Sequence, residues 1–317
     1  MADRAADTSP PLEAVACAVC GSHAQIVVYD ARHDRADLEA STEFRSSGDQ
    51  PLRERLVRCA GCGLQYVSPR LRHDVVLAGY TEGTDEAFVA EVRGRELTFD
   101  RALNRVERYT KGRRGRLLDI GTAGGSFLHV ARRRGWDVEG CEPNRWLCAW
   151  AREHYGLDVR PGTVFEQGYA AGRFDVVSLW DVLEHTPDPR RVVAECHRLL
   201  RDGGLLVVNY PDIGSWAARL MGRRWVFLLS VHLYYFTRAT LTRLLDATGF
   251  EVVTMRPHIQ RLSVSYVCRR AEDHAGRPAR LLGACARGVG LGDVQLPYWV
   301  GQTLVIARRR PTGHDGV

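Results

Sequence analysis

From Arg116 onward the chain alternates short apolar runs with segments whose apolar residues recur at helical spacing. The apolar runs, bounded by glycine, proline and charged residues, read as strands at 116–120, 137–142, 157–160, 174–180 and 204–210. Between them the helical period predicts helices near 125–134, 144–155 and 188–200. In "DPRRVVAECHRLLRDGG", Val192, Cys196 and Leu199 share one face, as do Val193 and Leu200, and Gly203-Gly204 reads as a left-handed stop. "TRATLTRLLDATGF" (237–250) is a further helix with a threonine cap and a glycine stop. "EVVTMRP" and "QTLVIARRR" read as the last two strands; in 258–300, between them, a helix is expected near 277–287. Strands alternating with helices of this length give an α/β fold, a parallel sheet covered on both faces.

Upstream the pattern changes. Residues 72–110 read as helical with a polar face, and the region before them holds short strand-like pieces such as "AQIVVYD". The expected organisation is a disordered tail over 1–13, a small domain over 14–72, a helical linker over 73–110 and a large domain over 111–310. The large domain carries insertions near 212–236 and 258–300. No internal repeat is visible.

Composition narrows the class. With 45% hydrophobic and 26% charged residues, the 317-residue chain is ordinary for a water-soluble protein with a substantial core. Its longest apolar run, "WVFLLSVHLYYF" (225–236), is too short to span a bilayer and contains a histidine. The N-terminus lacks a basic stretch followed by an apolar one, so a cytoplasmic location is expected. The net charge of +6 comes from arginines, with Lys111 the only lysine. The basic runs Arg132–Arg134 and Arg308–Arg310 are short and scattered, which fits solvated surface better than a nucleic-acid track.

Four of the nine cysteines fall into two pairs, "CAVC" and "CAGC". Each Cys-x2-Cys turn can present two thiolates to one ion, and four thiolates close a tetrahedral zinc site that leaves no room for substrate. Cys17, Cys20, Cys59 and Cys62 are therefore expected to hold a structural zinc, the alternative being free thiols. His23 and His33 lie nearby and are not needed; Cys141, Cys148, Cys196, Cys268 and Cys285 read as buried thiols.

"LLDIGTAGGSFLHV" (117–130) runs from strand through glycine turn into helix, an arrangement that holds nucleotides. It is neither GxGxxG, since Ala123 and Ser126 stand at the second and third glycine positions, nor a Walker loop. Asp119, at the strand end, would repel a pyrophosphate but favour a ligand with ammonium and sulfonium groups and no phosphate, such as S-adenosylmethionine. Glu142 ends the second strand and can accept protons from both ribose hydroxyls.

On these residues, and on "CEPN", "FDVVSLWDVLEH", "LLRDGGLLVVNYPD" and "HLYYFTRATLTRLLDATGF", residues 116–250 resemble class I S-adenosylmethionine-dependent methyltransferases. With "CGLQYVSPR", the whole resembles the bacterial branch with an N-terminal zinc ribbon, linked to sugar, polysaccharide or secondary-metabolite modification. The resemblance implies a Rossmann-like seven-stranded, mostly parallel sheet in the order 3-2-1-4-5-7-6, strand 7 antiparallel, with a small zinc-ribbon domain. It implies S-adenosylmethionine across the carboxyl ends of strands 1, 2 and 4. Carried over, Asp119, Gly121, Thr122 and Gly125 would hold the methionine part, Glu142 the ribose, and backbone near Trp180 would lie beside the methionine portion. Ala123 replaces the family's usual second glycine, which fits where that position needs no positive φ.

Methyl transfer to a hydroxyl or carbon acid needs a proton acceptor, and histidine suits that task. Two candidates stand out. His185, in "DVLEHTPDP", follows the fourth strand and could equally stabilise its loop. His232, in "SVHLYYF", lies in an aromatic-rich insertion that covers the acceptor in the resembling family, where a Glu-His pair often stands; here the Glu position is Val231. The aromatics Trp216, Trp225, Phe227, Tyr234, Tyr235 and Phe236 suit either core or pocket wall.

The expected function is methyl transfer to an oxygen or carbon of a small molecule, sugar or glycan. An RNA methyltransferase is one alternative, although strand 4 continues as "LWDVLEH" and not as an Asn/Asp-Pro-Pro-Tyr/Phe loop. A ligand-binding module without turnover is the other.

Overall fold

In the computed structural model, residues 12–32, 50–84, 86–268, 288 and 290–311 are described. Seven strands form the central sheet: β1 (Arg116–Ile120), β2 (Asp137–Glu142), β3 (Arg160–Pro161), β4 (Phe174–Trp180), β5 (Leu200–Pro211), β6 (Phe250–Pro257) and β7 (Gln302–Arg309). Their spatial order is 3-2-1-4-5-7-6. The pairs β1–β2, β1–β4, β2–β3 and β4–β5 are parallel, and β7 runs antiparallel between β5 and β6. This is the order and direction that the resemblance implied.

Alternate residues along each strand face opposite sides of the sheet, and the two sides are covered by different helices. Leu117, Val176, Leu205 and Val207 pack with the buried faces of α1 (Val92–Tyr109), α2 (Ser126–Arg133) and α3 (Arg145–Tyr155). Leu118, Val177, Leu206 and Val208 pack with Val192, Val193, Cys196 and Leu199 of α4 (Pro189–Leu199) and with Leu241, Leu244 and Leu245 of α5 (Arg238–Ala247). Each of these fully buried leucines and valines contributes roughly 2 kcal/mol of transfer free energy. The helix starts are set locally. Asn144 accepts from Leu147 N, Asp188 accepts from Arg191 N with Pro189 in the first turn, and Thr237 forms a capping box with Thr240.

Two boundaries differ from the sequence expectation. The third strand is confined to Arg160–Pro161, because Leu157 and Val159 are drawn into the apolar layer around α3 before the chain reaches the sheet edge. The fifth strand begins at Leu200, directly after α4. Leu200 already pairs with Phe174, and the register breaks before Leu205. Gly203 (φ 69°) therefore turns the chain inside that irregularity and is not a helix stop. Within 258–300 the chain forms a hairpin, Gln260–Ser263 with Gln295–Tyr298, which the sequence pattern did not show. The helix expected near 277–287, Cys285 and His33 lie outside the described residues.

The N-terminal region forms antiparallel strands Gln25–Tyr29, Leu56–Cys59 and Gln65–Val67. A fourth strand in the same sheet, Tyr234–Tyr235, comes from the insertion after β5. Leu12 and Glu13, at the end of the expected tail, pair with Leu71 and Arg70 and so belong to the fold. No helix among the described residues is long and apolar enough to cross a membrane.

Candidate active site and thiol cluster

The carboxyl ends of β1, β2 and β4 bring together most of the residues singled out from the sequence. After β1 the chain turns through Gly121–Gly125 into α2. The amides of Gly121 and Thr122 donate to the Cys141 carbonyl at 2.9 and 3.2 Å, which pins the turn against β2. Gly125 (φ 77°) precedes α2, and a Cβ there would lie 2.9 Å from Leu157 Cδ1, so both conformation and space demand glycine. Ala123 departs from expectation: its φ is 48°, so this position does need the left-handed region and alanine occupies it at a cost of about 1 kcal/mol. Its amide donates to Glu142 Oε2 at 2.9 Å, which holds the residue in place.

Asp119 and Glu142 end adjacent strands and are both buried. Ser178, from β4, donates to Asp119 Oδ1 at 2.6 Å. The amide of Asn144 donates to Glu142 Oε1 at 2.8 Å. Burial pushes the Asp119 carboxyl up to about 7, with the Glu142 charge adding to the rise and the Ser178 hydrogen bond opposing it. Burial likewise raises Glu142, against the pull of the Asn144 and Ala123 amides. No side-chain cation acts on either carboxylate among the described residues. The Tyr80 side chain also hydrogen-bonds to Glu142, so with the two amides one lone pair of the carboxylate stays open to a further hydroxyl. The result is a buried pair of acids whose ionised forms lack a counter-charge.

At the end of β4, Trp180 packs edge-on against Phe99 and tilted against Phe127, with centroids 5.1 and 4.9 Å away, and meets His258 at 5.5 Å. Asp181, another non-glycine residue with positive φ (52°), accepts from Asn209 Nδ2 at 2.6 Å and from Gln302 Nε2 at 3.3 Å. Burial raises its carboxyl to about 6, opposed by the charge of Arg95. Around it, Trp180 Nε1, Asn209 Oδ1, Gln302 Oε1, His258 Nε2 and both Glu184 oxygens are buried without a hydrogen-bond partner. These unpartnered polar atoms leave hydrogen-bonding capacity open at this end of the sheet.

His185 and His232 come from separate segments and meet, with ring centroids 4.7 Å apart. His185 Nδ1 lies 2.9 Å from the Val231 carbonyl and His232 Nδ1 lies 2.8 Å from that of Phe227. A carbonyl only accepts, so each Nδ1 carries the proton and each Nε2 keeps a free lone pair. Burial lowers His185 to about 4 and holds His232 well below the usual imidazole range, the second also through the neighbouring imidazole. Glu184 is raised well above the usual range by burial and by the Asp181 charge. Glu184, His185 and His232 place ligating atoms within 4.8 Å of one another, a donor set that could also receive a divalent ion. Spacing along the chain could name the two histidines but not their meeting. It missed Glu184, Asp181, Asn209 and Ser178; the signal for Glu184 was its place beside His185 in "DVLEH".

The aromatic insertion divides. Trp225, Tyr234, Tyr235 and Phe236 are buried in packing, whereas Trp216 is 68% exposed and rests on Trp299 at 5.4 Å.

The four paired cysteines converge. Cys17 Sγ is 3.4 Å from Cys62 Sγ, Cys20 Sγ is 3.5 Å from Cys59 Sγ, and all four lie within 4.8 Å of one another. Four thiolates at about 2.3 Å from a tetrahedral zinc would be roughly 3.8 Å apart, so the set fits zinc. Both turns are built alike. Gly21 (φ 72°) and Gly63 (φ 81°) follow the second cysteine of each pair and donate to the carbonyl of the first, at 2.8 and 3.0 Å. Of the other thiols, Cys141, Cys148, Cys196 and Cys268 are buried.

Comparison with known proteins gives the family. The family model described as a methyltransferase domain matches residues 92–255, more than half of the chain. The ubiquinone biosynthesis O-methyltransferase of Cereibacter sphaeroides is 35% identical over 118 residues, covering 35% of this chain and 48% of that protein. The protein of the same name from Thiobacillus denitrificans is 31% identical over 149 residues, covering 43% and 64%. The chain thus spans about half the length of the curated relatives it matches. Among solved structures, an S-adenosylmethionine-dependent methyltransferase from Archaeoglobus fulgidus aligns with a TM-score of 0.49 at 18% identity, covering 71% of this chain and all of that one.

Proposed function

Because the chain belongs to the methyltransferase-domain family, we propose that it transfers a methyl group from S-adenosylmethionine to an oxygen or carbon of a small molecule, sugar or glycan. The observation that carries this reading is the buried Asp119–Glu142 pair without a cation. A ligand bearing ammonium and sulfonium charge and no phosphate supplies what the pair lacks. Asp119, Gly121, Thr122 and Gly125 would hold the methionine part, Glu142 the ribose, and the chain at Trp180 would border the methionine portion. S-adenosylmethionine supplies a methyl carbon already activated by its sulfonium. The protein's part is to align the acceptor, exclude water and receive a proton.

The proton-accepting role falls to His232, with His185 beside it. Both are neutral at pH 7 with Nε2 open, so either can take a proton from an acceptor hydroxyl. Glu184, its carboxyl raised by burial, places an oxygen within 4.8 Å of both imidazoles and can hydrogen-bond to the ring that takes the proton. Asp181, Asn209, Gln302 and His258 offer both donors and acceptors, which supports an acceptor rich in hydroxyl or carbonyl groups. Cys17, Cys20, Cys59 and Cys62 would hold a structural zinc.

Calorimetry tests the first step: heat is expected with S-adenosylmethionine and S-adenosylhomocysteine, and none with nicotinamide dinucleotides or nucleoside triphosphates. The reverse pattern would overturn the reading. A labelled-methyl assay on hydroxylated acceptors, comparing His232→Ala and His185→Ala at intact cofactor binding, then identifies the proton acceptor.

A further inference from the structure

Arg70 ends the N-terminal motif "YVSPR" and is 5% exposed, an unusual position for a guanidinium. Its three nitrogens reach three separate segments. Nε donates to Glu13 Oε1 at 2.9 Å, Nη1 to the Tyr234 hydroxyl at 3.1 Å and Nη2 to the Pro187 carbonyl at 2.9 Å. The Tyr234 hydroxyl in turn donates to the same Pro187 carbonyl at 3.0 Å, and the guanidinium lies 5.6 Å from the Tyr234 ring centroid. Pro187 stands two residues after His185, and Tyr234 two residues after His232. The two segments that carry the imidazoles are thus joined through one buried planar cation.

The backbone reinforces the same junction. The Leu233 amide donates to the Glu184 carbonyl at 2.8 Å, and the Val67 amide, three residues before Arg70, donates to the Leu233 carbonyl at 2.9 Å. Tyr234 pairs with Tyr66 in the N-terminal sheet. With the Nδ1 contacts of His185 to Val231 and of His232 to Phe227, these bonds hold the two turns, and the Arg70 fork adds a side-chain tie between Pro187 and Tyr234. A lysine ammonium cannot span three acceptors in one plane. Burial of a charge is costly, and here the Glu13 carboxylate and two further hydrogen bonds in one plane offset that cost.

We propose that Arg70 is a positioning residue for the His185–His232 pair, holding the two imidazoles face to edge through Pro187 and Tyr234. It does not touch the acceptor. Its importance for turnover rests on the proposed role of that pair, whereas its effect on the rings can be read without any acceptor.

The experiment is nitrogen-detected NMR of the histidine rings in the full chain, with signals assigned through His185→Gln and His232→Gln. The groups facing the pair are Glu184, Tyr235 against the His232 ring and, through Glu184, Asp181. At pH 7.5 in the wild type both rings should show the single Nδ1-protonated tautomer. In Arg70→Met, at unchanged circular dichroism, the fixed tautomer should be lost and the ring nitrogens should report a mixture. Arg70→Lys should not restore it. If Arg70→Met does not fold, Tyr234→Phe removes the shared hydroxyl while keeping the ring, and should likewise mix the tautomers. Unmoved rings in the folded variants, or full rescue by lysine, would overturn the assignment. Heat of S-adenosylmethionine binding should be the same in wild type and variants. Its absence from all of them would refute the cofactor reading and leave the ring measurement intact.

Discussion

Replacing Asp119 by asparagine should stabilise the protein while depriving it of its cationic ligand. The Asp119 carboxyl is raised by burial from 3.8 to about 7. A carboxyl whose folded value exceeds its unfolded one binds more protons when folded, so its contribution favours folding at low pH and is lost as pH rises through 7. At about 1.4 kcal/mol per pH unit, ionising this group in its buried site costs about 4 kcal/mol at pH 8 and under about 1 kcal/mol at pH 4. Asparagine keeps the Ser178 hydrogen bond and never ionises. Asp119→Asn should therefore be more stable than the wild type at pH 8 by up to about 4 kcal/mol, an advantage that should nearly vanish at pH 4. Urea denaturation at both pH values measures the difference. In the same variant the heat of S-adenosylmethionine binding should be lost. In the wild type that affinity should fall about tenfold from pH 8 to pH 6, because the ligand selects the ionised carboxylate. A variant with equal stability at pH 8, or one stabilised equally at both pH values, would refute the electrostatic argument.

Ala123→Gly should raise stability by up to about 1 kcal/mol, since glycine adopts the left-handed φ freely, and should leave cofactor binding unchanged; thermal denaturation with and without S-adenosylmethionine checks both. His185, lowered by burial to about 4, gives its stabilisation above pH 6.5 and loses it as pH falls toward 4, by up to about 3 kcal/mol. His185→Gln, which can still donate to the Val231 carbonyl, should lose less stability than the wild type between pH 7 and pH 4 in urea denaturation. Elemental analysis should find one zinc held by the thiol cluster, lost in Cys59→Ser together with several kcal/mol of stability in the N-terminal strands. Retention of full zinc content in that variant would remove the four-thiolate site.

Much of the frame was legible along the chain because it depends on local chemistry. Strand and helix periods, the cap at Thr237, and the acids at the ends of β1 and β2 follow from residues close in sequence. The cysteine pairs were equally plain, since each Cys-x2-Cys turn is a local unit closed by the glycine after it. Chain topology and side-chain environment decided the rest. Only the fold brings Tyr234–Tyr235 into the N-terminal sheet, so that a loop after β5 and a motif near residue 70 share one hydrogen-bonded junction. Only burial raises the Glu184 carboxyl and lowers the two histidines, because a desolvation cost has no signature in sequence spacing. Even Ala123 shows the division: its identity was read from the sequence, but its left-handed backbone is imposed by the turn between Asp119 and α2 and by the Glu142 carboxylate that holds its amide.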